Sequence, residues 1–258
     1  MDAEPEDVKI RQAELDDHED VVGFTQDTWD GGDYIPRVFK DWVESDGPRQ
    51  RTLVADLDGE VIGVMQMSRV SDYEAWAQGM RMNPEYRGLG ISTQLSFGGF
   101  RWARDQGARI ARNMVFSWNI MGLGQSRAVG FEPVAEFRWA EPEPDGEASL
   151  NASVTTDPDA AYGYWIHSTA RERLSGLALH AEESWCVAEL TRSTLQEAAN
   201  EDRLLVIEDN GIRGFTYQTR TFERTDDDDN AVDWAEYGVG AWDDHRAARD
   251  LFSAIRQD

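Results

Sequence analysis

The sequence has little of what membrane, secreted and zinc proteins need. Its single cysteine, Cys186, cannot form a disulfide within the chain, so we expect a reducing, cytoplasmic compartment. No segment approaches the roughly 18 consecutive apolar residues of a membrane span, and the acidic residues 1–7 do not resemble a secretory signal. The four histidines lie far apart and no Cys/His pair has zinc-ligand spacing. We therefore expect no metal site and no membrane partner.

Lysine is almost absent, and acidic residues outnumber basic ones. The chain has 50 Asp and Glu against 25 Lys and Arg, a formal net charge of −25 at pH 7, and its only lysines are Lys9 and Lys40. Self-repulsion of this size destabilises a compact protein in dilute buffer, whereas in molar salt the Debye length falls to about 3 Å. This composition is typical of a halophilic protein, with an ordinary acidic protein as the alternative. Nucleic acid is not an expected partner, because phosphate binding needs a basic surface.

The 258 residues suffice for one large domain or two smaller ones. Apolar patterning predicts strands at residues 8–11, 51–56, 61–70, 74–82, 110–118 and 134–139, and helices near residues 16–25, 38–43, 91–102 and 120–129. The proline- and acid-rich segment 141–146 is typical of a linker or an exposed turn. We therefore predict one α/β (α+β) domain over residues 1–145 and a second domain over residues 146–258.

The second half repeats part of the first. Residues 51–59 (RTLVADLDG) align with residues 203–211 (RLLVIEDNG), and Ile62-Gly63-Val64 aligns, one residue out of step, with Arg213-Gly214-Phe215. Residues 74–78 then align with residues 232–236, and a helix is predicted over residues 243–255. The repeat predicts a duplicated strand–hairpin–strand–helix core, although unrelated hairpins also look alike. The acidic run 226–229 is expected to be a solvated loop between strands.

A glycine-rich segment, residues 82–92 (MNPEYRGLGIS), lies between a predicted strand and a predicted helix. Glycines let backbone N–H groups approach an anion, and a helix N-terminus adds about half a positive charge, so the segment suits a pyrophosphate. It is not a P-loop, which needs Gly-Lys-Ser/Thr, and it lacks the three-glycine Rossmann spacing. A glycine turn alone is weak evidence, and an ordinary tight turn is the alternative.

The whole string, Pro84 followed by Arg87-Gly88-Leu89-Gly90-Ile91, resembles the acetyl-CoA signature of the GNAT acyltransferase superfamily. Residues 10–13, the turn Asp58-Gly59 and residues 129–131 resemble the same family, so that the resemblance covers about residues 8–140. It implies the GNAT fold, a mixed central sheet flanked by helices that splays between its fourth and fifth strands, with a second, degenerate GNAT-like half. It also implies acetyl-CoA as co-substrate, bound by Met80, Arg81, Met82, Arg87, Gly88, Leu89, Gly90, Ile91, Ser92, Thr93 and Asn119.

The same resemblance implies an N-acetyltransferase that moves the acetyl group directly to a primary amine, with a backbone N–H near residues 80–82 polarising the carbonyl. Residues 33–36, Trp42 and residues 79–82 are similar to histidine N-acetyltransferase-like proteins. This narrower similarity implies a small-molecule amine as acceptor, such as the α-amine of an amino acid, with Tyr34 and Trp76 at its pocket. The second half lacks Arg-Gly-x-Gly at residues 240–243, so we expect it to bind no cofactor. The sequence leaves open whether the chain forms a homodimer.

Three positions depart from the family pattern. Ser92 stands where the family usually has Gly or Ala, and its small hydroxyl fits there and can bond a phosphate. Gln78 stands where many members carry a carboxylate base, and an amide cannot accept the amine proton. Strand alternation places Glu74, Trp76, Gln78, Met80 and Met82 on one face, which makes Glu74 the candidate substitute base, with a solvated strand residue as the alternative. Ser126 stands where the family has the tyrosine that reprotonates the thiolate. The departures at residues 78 and 126 leave open a non-catalytic acetyl-CoA-binding sensor, and also a protein that keeps only the fold.

Overall fold

The structure is a computed structural model that describes residues 7–183, 185–225 and 230–258. The chain divides into two compact units, the first ending at Glu132 and the second beginning at Pro133. The division thus falls 13 residues before the predicted boundary at residue 145, and residues 134–139, predicted as a strand, have no regular secondary structure. No helix in the described ranges is long and apolar enough to cross a membrane.

The first unit is built on a five-stranded mixed sheet in the order β1-β2-β3-β4-β5. All neighbouring strands are antiparallel except β4 and β5, which are parallel. The strands are β1 (Lys9–Gln12), β2 (Gln50–Leu57), β3 (Glu60–Arg69), β4 (Glu74–Met82) and β5 (Ile110–Arg112). The helices are α1 (His18–Thr25), α2 (Ile35–Glu44), α3 (Ile91–Asp105) and α4 (Ile120–Ala128). The prediction is confirmed for the first four strands, whereas the fifth strand ends at Arg112 and not at residue 118.

Two apolar clusters cover the opposite faces of this sheet. One cluster packs α1 and α2 against the sheet through Val21, Ile35, Phe39, Val54 and Val64. The other packs α3 against it through Leu53, Met65, Met67, Leu95 and Ala103. Both sides of β2 and β3 are buried, which explains why these strands are nearly continuous apolar runs. Burial on two faces makes the middle of the sheet a rigid support for β4.

The second unit is built on a four-stranded antiparallel sheet in the order β11-β10-β9-β6. Its elements in chain order are β6 (Ser153–Thr155), α5 (Pro158–His167), α6 (Thr169–Arg173), β7 (Leu177–Leu179), β8 (Val187–Glu189), α7 (Arg192–Asn200), β9 (Leu204–Glu208), β10 (Ile212–Thr225), β11 (Ala231–Trp242) and α8 (His245–Gln257). Strands β7 and β8 form a separate antiparallel pair. Cys186, just before β8, is fully buried, as expected for an apolar residue. The acidic run 226–229 lies outside the described residues.

The sequence repeat coincides with a repeat of strand connectivity. In each unit the first strand, β1 or β6, pairs with the first strand of a three-stranded antiparallel meander, β2-β3-β4 or β9-β10-β11. A helix, α3 or α8, follows the last strand of the meander. Both hairpin turns have two residues with positive φ, Asp58 and Gly59 (52° and 94°) and Asn210 and Gly211 (54° and 122°), which is typical of tight hairpin turns. Gly63 pairs with the last residue of β4, and its counterpart Gly214 pairs with Trp242, the last residue of β11.

Candidate functional site

A β-bulge interrupts β4 in the middle of the first unit. Gln66 of β3 faces Gln78, whereas Val64, two residues earlier, faces Arg81, so that two residues of β4 lie opposite one of β3. Gly79, one of these two residues, has a φ of +66°. A Cβ added to Gly79 would lie 2.6 Å from the Trp42 ring of α2. Glycine is therefore required here both by the left-handed backbone and by the ring above it.

The bulge moves the side chains that follow it to the other face of the sheet. Arg81, opposite Val64, shares the α1/α2 face with Gln78. Met80 packs on the α3 face with Ala75 and Ala77. The prediction that residues 74, 76, 78, 80 and 82 share one face of the sheet is therefore wrong for Met80 and Met82. The extra residue of the bulge shifts the alternation of side chains by one position.

Strands β4 and β5 are paired only at the beginning of β4. The partners are Glu74 with Ile110, Ala75 with Ala111 and Trp76 with Arg112. Within the described residues, β4 has no strand neighbour on that side from residue 77 to residue 82. The expected splay between the fourth and fifth strands is thus confirmed, and it leaves the backbone edge of β4 open beside the bulge.

The glycine-rich segment forms an open cradle of backbone N–H groups at the start of α3. Gly88 and Gly90 have φ values of +83° and +78°, and a Cβ on either would meet no atom within 4 Å. Among the residues that the structure describes, no acceptor binds the N–H groups of Gly88, Leu89, Gly90, Ile91 and Ser92. These groups lie at the N-terminus of the 15-residue helix α3, which is the positive end of the helix dipole. Such an environment binds phosphate.

The side chains of the cradle, and that of Asn119, differ in exposure and in hydrogen bonding. Ile91, the first residue of α3, is buried against the sheet and can offer a ligand only its backbone, whereas Leu89 and Arg87 are exposed. The Arg87 Nε donates to the carbonyl of Met82 at 3.3 Å, which ties the cradle to the end of β4. Ser92 and Thr93 lie in the first turn of α3. Asn119 is the N-cap of α4, and its Oδ1 accepts the Gly122 N–H at 2.9 Å.

Glu74 is a buried member of an ion pair. Its carboxylate accepts from Arg112 of β5 and, at 2.9 Å, from the Ser71 hydroxyl. The alternative of a solvated strand residue is wrong, because Glu74 is only 1% exposed. The pair fastens β5 to β4 at the point from which the two strands diverge. A role of Glu74 as the base stays a prediction.

Gln78 is held by a second amide, which the sequence did not indicate. Its Nε2 donates to Oε1 of Gln66 at 2.6 Å, and Gln66 is fully buried. The Nε2 of Gln66 has no hydrogen-bond partner in the described part of the chain. Ser126, at the expected tyrosine position, is also buried, and its hydroxyl accepts from Asn113 at 2.8 Å. The structure therefore shows amides and a hydroxyl where the family pattern has a carboxylate and a phenol.

The two residues expected at the acceptor pocket differ in exposure. Tyr34 is 39% exposed and its ring packs edge-on against Trp42, whereas Trp76 is 2% exposed and acts as a packing residue. Arg81 lies over the rings of Trp29 and Tyr34, 5.5 and 5.7 Å from their centroids. Its Nε also donates to the buried carboxylate of Asp33 at 2.6 Å. This cluster was not predicted from the sequence, although the close spacing of acidic and aromatic residues at 27–34 is a signal for it.

The arrangement of sheet, bulge and cradle agrees with one known family. Residues 10–120, all in the first unit and less than half of the chain, match the model of the Acetyltransferase (GNAT) family. This match supports assigning the first unit to the GNAT acetyltransferase superfamily. No curated protein matches the chain.

Several solved structures are similar to about half of the chain. The aminoglycoside acetyltransferase AAC(6')-Iy in complex with a CoA bisubstrate analogue is 22% identical, over 53% of this chain and 98% of that one, with a TM-score of 0.46. A transcriptional regulator from Bacillus halodurans is 23% identical, over 52% and 99% of the two chains, with a TM-score of 0.46. AAC(6')-Ih from Acinetobacter baumannii is 17% identical, over 54% and 99%, also with a TM-score of 0.46.

Proposed function

We propose that the first unit is an N-acetyltransferase that moves an acetyl group from acetyl-CoA to a primary amine of a small molecule by direct transfer. The observation that carries this proposal is the continuity of the open edge of β4 with the N–H cradle of α3. One end of this surface offers peptide hydrogen-bonding groups at Met80–Met82, and the other offers five N–H groups to an anion. A pantetheine amide chain that ends in a pyrophosphate matches both ends.

The residues present fit this co-substrate. Gly88 and Gly90 leave open the space that a Cβ would fill, so backbone and phosphate can come close. The exposed guanidinium of Arg87 adds a local positive charge to a chain of net charge −25. Bound acetyl-CoA supplies the acetyl group as an activated thioester. The chain itself contributes mainly orientation of the two reactants and a backbone N–H beside the bulge that polarises the carbonyl oxygen.

The acceptor amine loses its proton without help from Gln78. Its amide has no basic lone pair, and its orientation is set by Gln66. Glu74 is the carboxylate that the sequence offers instead, yet its oxygens already accept from Arg112 and Ser71. We infer that an amine already free of its proton is the reacting form, which links the rate to the free-amine fraction in solution. The α-amine of an amino acid is one such acceptor.

A second candidate function is a non-catalytic acetyl-CoA-binding protein, a sensor or regulator. The observations that favour it are the hydrogen-bonded Gln66–Gln78 amide pair and the buried Ser126, which leave the site without the two usual proton-transfer groups. Both functions need the cradle. They differ in whether an amine triggers release of CoA.

We also propose that the second unit is a degenerate GNAT-like copy that binds no cofactor. Only Asp243 and Asp244 separate β11 from α8. In the first unit the corresponding connection, between β4 and α3, has eight residues, 83–90, and includes the glycines of the cradle. The Asp244 carboxylate accepts the N–H groups of Arg246 and Ala247 at 2.9 Å, which lowers its pKa below the usual range. A carboxylate thus occupies the helix end that would otherwise receive a phosphate, and Arg213 pairs with both aspartates.

The experiment for the proposed function is a thiol-release assay with acetyl-CoA against a panel of primary amines in high salt. Release of CoA that depends on an amine, with the acetylated amine identified by mass spectrometry, supports the transferase. Calorimetric binding of acetyl-CoA without release on any amine supports the sensor. Absence of binding overturns both and leaves a protein that keeps only the fold.

A further inference from the structure

An open cleft of about 690 Å³ lies in the first unit, between the loop that follows α1 and the loop that follows β5. Its walls include two carboxylates, Asp27 and Asp30, and three aromatic rings, Trp29, Phe116 and Trp118. Phe116 and Trp118 stack with their ring centroids 5.1 Å apart, and Trp29 meets Trp118 edge-on at 5.3 Å. The cleft is therefore an aromatic surface with negative charges beside it.

Two of the aromatic rings in this cleft are largely exposed to solvent. Trp118 is 61% exposed and Phe116 is 41% exposed. Exposed, mutually stacked rings that line a concave surface are typical of a binding site. An exposure this large excludes Trp118 from the apolar core.

The two carboxylates have no cationic partner within the described residues. None of the ion pairs there involves Asp27 or Asp30, whereas Asp33, a few residues on, is paired with Arg81 and buried. The electron-rich faces of Trp and Phe attract cations, and adjacent carboxylates strengthen that attraction. An anionic group, including the carboxylate of an amino acid, would meet like charge here.

The cleft is connected to the bulge of β4 by direct contact. The Arg81 guanidinium, two residues after Gly79, lies over the ring of Trp29, which forms one wall of the cleft. Because Arg81 is already neutralised by Asp33, it does not fill the negative cleft with its own charge. The cleft therefore adjoins the segment of β4 that follows the bulge, beside the proposed position of the acetyl transfer.

We propose that this cleft binds a second, cationic group of the acceptor, so that the preferred acceptor is a diamine or polyamine. The inference rests on the proposed transferase function and names the substrate class of that site. It favours such amines over α-amino acids, since these carry a carboxylate next to the reacting amine.

The test compares putrescine with butylamine, which has the same carbon chain and lacks the second amine. The ratio of their kcat/KM values, corrected for the two equivalent amines of putrescine, is measured by thiol release for the wild type and for D27N/D30N. The matched control is D58N, which removes a carboxylate at the exposed turn between β2 and β3, outside the cleft. Putrescine binding in the absence of acetyl-CoA is measured in parallel by calorimetry.

We expect the wild type to prefer putrescine by about tenfold, and D27N/D30N to lose that preference with little change for butylamine. D58N should keep it. Equal kcat/KM values for the two amines in the wild type, or equal losses in D58N and D27N/D30N, would overturn the inference. Putrescine binding that D27N/D30N abolishes, without acetyl transfer to either amine, would sustain the cationic site and reject the transferase. Acetyl transfer to both amines without any preference for putrescine would sustain the transferase and reject the cationic site.

Discussion

Gly79 of β4 lies directly beneath the indole of Trp42 in α2, so close that a single added carbon would reach within 2.6 Å of the ring. The contact joins the bulge of the sheet to the helix that covers it. It fixes which backbone groups of β4 face away from β3, because the extra residue of a bulge is left unpaired. The position of the proposed oxyanion-binding N–H therefore depends on the absence of one methyl group.

Replacing Gly79 with alanine tests this dependence. We expect a loss of about 2–4 kcal/mol in the free energy of unfolding, from left-handed backbone strain and the clash together. We also expect a fall in kcat, because the bulge must shift. The matched control is G59A, at a φ of +94° with no atom within 4 Å of the added Cβ, which carries the strain without the clash. Equal losses in the two variants, measured by chemical denaturation, would contradict the role given to Trp42.

The Glu74→Gln variant distinguishes two roles for Glu74, the general base of the reaction and the structural partner of Arg112. Removing the charge leaves Arg112 partly buried without its partner, so we expect a destabilisation of about 3 kcal/mol. The double variant E74Q/R112M removes both charges and should recover much of the stability and of the acetylation rate. A loss of the order of 10² in rate that persists in the stable double variant, with cofactor binding intact, would instead identify Glu74 as the general base.

Gln78→Glu should introduce a base at the usual family position. The buried Gln66 can rotate its amide, so that its Nε2, which has no partner among the described residues, donates to the new carboxylate. We expect unchanged acetyl-CoA affinity and a pH–rate profile shifted toward lower pH, because a carboxylate now assists deprotonation. The profile of the wild type should simply follow the free-amine fraction. An unshifted profile in a folded Q78E variant would show that position 78 does not face the amine.

Salt should stabilise the protein strongly. With a net charge of −25, the compact state depends on screening of carboxylate repulsion. We expect the Tm to rise steeply, by at least about 10 °C, between dilute buffer and molar KCl. A Tm that stays flat over this range would contradict the expectation, drawn from the composition, that the protein is halophilic.

The local features of the fold could be predicted from the sequence. The bounds of β4 at residues 74 and 82 follow from its apolar pattern, and the turn at Asp58-Gly59 follows from residues that tolerate positive φ. The start of α3 follows from the glycines before it. Each of these depends on neighbours in sequence, which explains why patterning is sufficient.

The features that depend on distant residues could not be predicted. Glu74 and Arg112 are 38 positions apart, and their pairing requires the parallel contact of β4 with β5. The bulge at Gly79 shifts the alternation by one, and it is set by the Trp42 ring rather than by the strand's own pattern. The exposure of Trp118 is likewise a tertiary property, because a tryptophan in a sequence gives no sign of which side of a loop it occupies.

Calorimetric titration of acetyl-CoA into the wild type, G90V and G59V tests the central claim most directly. If the N–H groups of residues 88–92 bind the pyrophosphate, one acetyl-CoA binds per wild-type chain and G90V weakens binding by about tenfold or more. G59V, with a comparable positive φ at an open turn, should bind as the wild type does. Unchanged affinity in a folded G90V variant, or two molecules bound per chain, would contradict the account.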